Sequence, residues 1–328
     1  MGAVHKAGAA ESGAVTVTEK VQLFIITVEI KRIFGMNFSV KVVLYPQTAA
    51  DCLKGSFLVT VHSVYHHTVN LRAGERLLAI QPRSAAPTPF GITTSLSGEE
   101  FECLTLRQGE RGLWSGGELQ LGCLRLDLKT GELWQPRITP VPEELWRPRF
   151  LSGLEQTIAR GREKSALARS LEPDRGEAET PLGQLYHRYI SQAGALAGQG
   201  AFSSAARQYC MLIGLGDGLT PAGDDFLVGL LAALRGLEQE EQTGRFRTAL
   251  EEEVEAQLAK TNDISAEFLR YACRGAFSRP LCQLFSPAEP EAALDWLAGI
   301  GHSSGIDTLT GVREGLALHR SLTAAKTV

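Results

Sequence analysis

The sequence predicts an α+β protein, an N-terminal antiparallel β barrel or sandwich followed by a mainly α-helical domain, and three observations predict it. Short runs of β-branched and aromatic residues separated by turn signals occupy 36–150. Apolar residues recur at helical spacing over 151–328. The Pro-rich stretch Pro136 to Pro148 separates the two periods, which places the domain boundary near residue 150.

At 328 residues the chain can bury a sizeable core without disulfides or a structural metal. A hydrophobic fraction of 44%, a charged fraction of 21% and a net charge of −4 are ordinary for a globular protein and give no electrostatic reason to expect nucleic acid. The six cysteines, Cys52, Cys103, Cys123, Cys210, Cys273 and Cys282, are scattered and read as reduced thiols. The apolar stretch Val21 to Phe34 is broken by Glu29, Lys31 and Arg32, is too short to span a bilayer, and lacks the features of a secretory signal. The expected location is the cytoplasm, with no membrane partner.

Along the chain, residues 1–35 form an extension. Its first 14 residues, rich in Ala, Gly and Ser, read as a disordered tail, and Val15 to Phe34 as one or two strands. Met36 is an alternative start, because the domain pattern begins afresh at Phe38. Strands are expected at Ser39–Tyr45, Ser56–His62, Thr68–Leu71, Arg76–Ile80, Glu102–Leu106 and Gly122–Asp127. His62, His66 and His67 fall on alternating faces and read as surface or core residues rather than metal ligands. The charged stretch Gly161 to Glu179 reads as a linker or mobile loop. Helices are expected at Leu182–Ala197, Ser203–Ile213, Pro221–Leu237, Phe246–Ala259, Ser265–Phe277, Glu291–Ala298 and Ile306–Ser321. No internal repeat is visible.

Three helix starts carry the chemistry. In the first, Gly214-Leu-Gly-Asp-Gly-Leu-Thr-Pro-Ala-Gly-Asp-Asp225, Thr220 is a natural N-cap and Pro221 a natural first helical residue. Gly214, Gly216, Asp217, Gly218, Thr220 and Gly223 are the candidate phosphate-binding residues, because glycines let free N–H groups approach an anion at a positive helix end. Asp224 and Asp225 would repel that anion, and a Mg²⁺ ion held by one of them resolves the conflict. The plainer reading is that the Asp pair complements the helix dipole and the glycines merely turn the chain.

The second start, Thr261-Asn-Asp-Ile-Ser265, places Asn262 and Ser265 either as capping residues or as donors to a substrate amide or carboxylate. In the third, Gly299-Ile-Gly-His-Ser-Ser-Gly-Ile-Asp307, the match to a Gly-x-Ser-x-Gly nucleophile elbow fails because a helix rather than a strand precedes it. It reads better as another helix N-terminus, with Ser303 or Ser304 as cap and free amides up to Gly305. His302 is then either a structural residue or an acid/base, with Asp307 as its orienting partner. The three starts are expected to converge, with Asp224, Asp225 and His302 as the catalytic candidates.

The motifs Gly-Leu-Gly-Asp-Gly-Leu-Thr-Pro-Ala-Gly-Asp-Asp-Phe-Leu (214–227), Thr-Asn-x-x-Ser-x-x-Phe-Leu (261–269) and Gly-His-Ser-Ser-Gly-x-Asp-Thr-Leu-x-Gly (301–311) resemble a bacterial family that includes the AllH-type subunit of oxamate carbamoyltransferase. The likeness extends loosely over the β domain from Phe38. It implies a subunit acting with partner proteins in allantoin catabolism, where oxalurate and phosphate exchange with oxamate and carbamoyl phosphate. The other readings are a stand-alone Mg²⁺-dependent phosphotransferase or nucleotide-binding enzyme, and a non-catalytic ligand-binding or assembly subunit.

Overall fold

The computed structural model describes residues 17–33, 37–140, 143–172, 180–237, 240–287 and 290–324. The expected tail at 1–14, Met36 and the end of the expected linker, 173–179, lie outside the described residues.

The first half closes into a barrel. Strands β1 (Phe38–Pro46), β2 (Phe57–Tyr65), β3 (Thr68–Ala73), β4 (Arg76–Gln81), β5 (Gly91–Thr94), β6 (Arg111–Ser115), β7 (Glu118–Leu121), β8 (Leu124–Asp127) and β9 (Glu132–Trp134) lie in the order β5-β4-β3-β2-β6-β7-β8-β1-β9, and β5 also pairs with β1. That last pairing joins the two ends of the sheet, so eight strands form the ring and β9 extends the edge of β1 beside β8. Most pairings are antiparallel; β1 with β8, β1 with β9 and β4 with β5 are parallel. Alternation fills the lumen: Val40, Val42, Val59, Val61, Leu119, Leu121 and Leu126 point inward and are buried.

Three expectations are corrected here. Val15 to Phe34 is not strand, because helix α1 (Val17–Ile33) occupies it. Its inward residues Val21, Phe24 and Val28 recur at three and four positions, and Phe24 packs edge-on against Phe38 at 5.1 Å. Glu102–Leu106 is not strand either. Ser97 and Glu100 form a reciprocal capping box that starts helix α3 (Gly98–Glu102), which follows the short helix α2 (Gln47–Cys52). The third is the Pro-rich exit: helix α4 (Glu143–Gly161) already begins within it.

The helical half continues with α5 (Ala166–Ser170), α6 (Pro181–Gly198), α7 (Phe202–Tyr209), α8 (Ala222–Gly236), α9 (Glu241–Gln257), α10 (Asp263–Cys273), α11 (Arg279–Leu284), α12 (Pro290–Ala298) and α13 (Ser304–Ala324). The expected helices are all present, and α4, α5 and α11 are additions. At its centre α8 and α13 lie side by side in the same direction. A Cβ at Gly229 would stand 1.9 Å from the Thr308 carbonyl oxygen, and one at Gly311 would stand 1.9 Å from that of Phe226. Only glycine permits backbones this close. The contact brings the two N-termini to one end of the molecule, where α10 joins them.

Helix α10 also ties the halves together. Phe90 of the barrel stacks on Tyr271 and meets Phe268 edge-on, and the Phe277 amide donates to the Pro136 carbonyl. All six cysteines are free thiols. Among the described residues no helix is long and apolar enough to cross a membrane.

Candidate functional site

The three segments singled out in the sequence meet. Asp224, in the first turn of α8, is buried and accepts from the Gly214 amide (2.8 Å), the Thr261 hydroxyl (2.5 Å) and the Ser265 hydroxyl (2.6 Å). Asn262 caps α10 through Oδ1, which accepts from the Ile264 and Ser265 amides, while its Nδ2 donates to the Leu219 carbonyl at 3.0 Å. Thr220 and Ser304 join hydroxyls at 2.9 Å, which links the first segment to the third.

Several predicted roles change on this geometry. Thr220 does not cap α8: Pro221 occupies the N-cap without a side-chain bond, and the Thr220 hydroxyl turns to Ser304. Asn262 and Ser265 spend their hydrogen bonds holding the glycine loop. The amides of Gly214, Gly223 and Gly305 are taken internally, by Asp224, Leu215 and Ile300. Those of Gly216, Asp217 and Gly218 make no internal bond among the described residues. Gly216 holds φ at 126°, and a Cβ there would meet the Tyr186 hydroxyl at 2.9 Å, so that tyrosine backs the loop while donating to the Leu215 carbonyl.

Asp307 is buried and does not orient His302. It accepts from Ser165 at 2.5 Å and from the Ser303 hydroxyl, while His302 stands exposed at the turn before α13. Ser165 was hidden in the segment read as a linker. It caps α5 and reaches Asp307, and the apolar Leu167 and Ala168 that follow it, both buried, were the available signal.

Asp225 differs from its neighbour. The hydroxyls of Ser304 and Thr220 bond its carboxylate, yet among the described residues its Oδ2 is closed to solvent and without a hydrogen-bond partner, as is Oδ2 of Asp307. Burial pushes the Asp225 carboxyl well above the usual carboxylate range; the Ser304 and Thr220 hydroxyls pull it part of the way back, and Asp307 and Asp224 push it further up. Burial also raises Asp224 and Asp307, against the hydroxyl and amide donors on each.

The two carboxylates differ in what they could offer a cation: Asp225 Oδ2 is unfilled, and Asp224 is largely taken up. Asp224 already has three of its roughly four acceptor positions filled. Among the described residues no group of three His, Cys, Asp or Glu side chains is gathered to hold a metal. In the barrel, His62 bonds Asp263 at 3.1 Å and His66 lies 3.5 Å from Glu102.

A closed barrel, a helical half and three helix starts meeting at one end accompany two family matches, which name the class first: a carbamoyltransferase-related subunit. The chain belongs to the AllH family. Residues 38–133 match the AllH family N-terminal domain, and residues 212–316 match the model described as oxamate carbamoyltransferase subunit AllH. No solved structure matches the chain.

Proposed function

We propose that the chain binds carbamoyl phosphate, phosphate and the oxamate or oxalurate partner at the α8 and α13 starts, as one subunit of an oxamate carbamoyltransferase that works with partner proteins in allantoin catabolism. The observation that carries this reading is the orphan Oδ2 of Asp225, buried where α8 and α13 begin, with Thr220, Ser304 and Asp307 around the same carboxylate.

A buried carboxylate next to an anion site is repulsive only while it is charged. Burial holds the Asp225 proton to a higher pH than an ordinary aspartate does, and the orphan Oδ2 is where an O–H facing a ligand would sit. That O–H donates to a phosphoryl or carbamoyl oxygen, while Ser304 and Thr220 hold the other end of the group. Neutral Asp225 thus removes the need for a bridging cation.

In the transfer, the oxamate amide nitrogen attacks the carbamoyl carbon. The new C–N bond forms, the C–O bond to phosphate breaks, and one N–H proton passes to the departing phosphate. The loop amides and the Asp225 O–H stabilise charge on the oxygens, which is where most of such a rate enhancement arises. His302 is exposed in the turn before α13.

The test is calorimetric titration of the chain with carbamoyl phosphate and with oxamate, beside Asp225→Ala. Binding by the wild type and at least about tenfold weaker binding by the variant is the expected outcome. Equal affinity in both sinks the assignment.

A further inference from the structure

Helix α10 has two working faces. Asn262 and Ser265, three apart, face the glycine loop, and Asp263, Glu267 and Tyr271, four apart, face the barrel. On the barrel side Glu267 is 1% exposed and lies between two guanidinium groups: Arg76 of β4 at 2.6 Å, and Arg270 of its own helix. Arg76 in turn stacks over the Tyr271 ring, 4.6 Å from its centroid. One turn earlier, Arg72 and His62 of the barrel bond Asp263, the residue next to the Asn262 cap.

This arrangement is expensive for a mere adhesive. Burying an ion pair costs about as much desolvation as the attraction returns, and apolar residues of similar volume hold such an interface as well or better. Nη2 of Arg76 is moreover buried without a partner, a further cost of about 1–3 kcal/mol. What an ion pair at a fixed spacing provides, and apolar contact does not, is register. Glu267 sits two residues from Ser265, so a shift or rotation of α10 against the barrel moves the Ser265 hydroxyl off Asp224 and the Asn262 amide off Leu219.

We infer that Arg76 and Glu267 are positioning residues: the barrel, acting through α10, sets the geometry of the glycine loop at 214–225. The barrel is then the lever that holds the loop in its folded shape, and a partner that grips the barrel acts on the loop without touching it.

The experiment compares amide hydrogen exchange in the full chain with that in Arg76→Met/Glu267→Leu, a variant that keeps the volume, removes the buried pair and leaves half-exposed Arg270 free to turn to water. The expected result is a melting temperature close to that of the wild type, with exchange over 212–226 accelerated about tenfold and α8 beyond Phe226 and α13 unchanged. Wild-type exchange in the loop overturns the inference. Equal acceleration in every segment overturns it as well, since the pair is then a general stabiliser. If the variant does not fold, Arg76→Lys is read the same way, because lysine keeps the charge but loses the stacked, forked geometry. The readout needs no ligand, so its failure is separate from failure of the anion-site reading.

Discussion

The two sides of the glycine loop are built from the same materials and behave differently. Facing α10, Asp224 is bonded on both oxygens, by three donors, and fixes the loop. Facing α13, one residue along, Asp225 and its neighbour Asp307 each keep a buried oxygen that nothing satisfies. Successive residues of a helix point about 100° apart, so a single step along α8 turns the carboxylate from the strut to the site. A fully bonded buried acid serves the fold, and one left open is a cost that the fold alone does not explain.

That contrast is most easily broken at Asp224. Asp224→Ala leaves the part-buried Gly214 amide and Thr261 hydroxyl and the buried Ser265 hydroxyl without their acceptor, and is expected to destabilise the chain by roughly 3 kcal/mol in urea unfolding. A loss below about 1 kcal/mol contradicts its role as strut. Next in size is Gly311→Ala, whose Cβ would press on the Phe226 carbonyl and wedge α8 from α13. A loss of about 2–3 kcal/mol is expected, with weaker anion binding because the two N-termini separate. Ser165→Ala removes both the α5 cap and a donor to Asp307, for about 1–2 kcal/mol by thermal melting.

Asp225→Asn has the opposite sign. The folded chain holds the Asp225 proton to a higher pH than the unfolded chain does, because its acidity is suppressed by burial. Between the unfolded and the folded pKa the native state therefore binds more protons, and stability falls as pH rises through that window. Asparagine removes the slope. The variant is expected to melt at a higher temperature than the wild type above the window and to gain nothing below it.

Much of the fold was legible because its elements obey one period at a time. The runs at β1, β2 and β8 alternate, and α6, α8 and α13 carry apolar residues at helical spacing. The errors fell where two signals compete. In α1 a nearly continuous apolar run hides the helical face at Val21, Phe24 and Val28, and at α3 a capping box precedes a stretch that itself resembles a strand. The site was legible as three motifs, since glycines and caps mark helix starts. The division of labour inside it was not. Whether Asp224 or Asp225 is satisfied depends on Thr261, Ser265, Ser304 and Asp307, far away in sequence, and the clamp at Glu267 depends on Arg76 from the other half.

The central claim is that Asp225 works as a neutral acid, and the pH dependence of anion affinity tests it most directly. Sulfate mimics phosphate while keeping one charge state from about pH 5 to about pH 9, a range that brackets documented buried carboxyls. Its affinity for the wild type is expected to fall at least about tenfold as the Asp225 proton is lost, and to stay flat for Asp225→Asn, whose amide still donates. The same pH profile in both proteins, or tighter binding to the wild type as pH rises, would contradict the account.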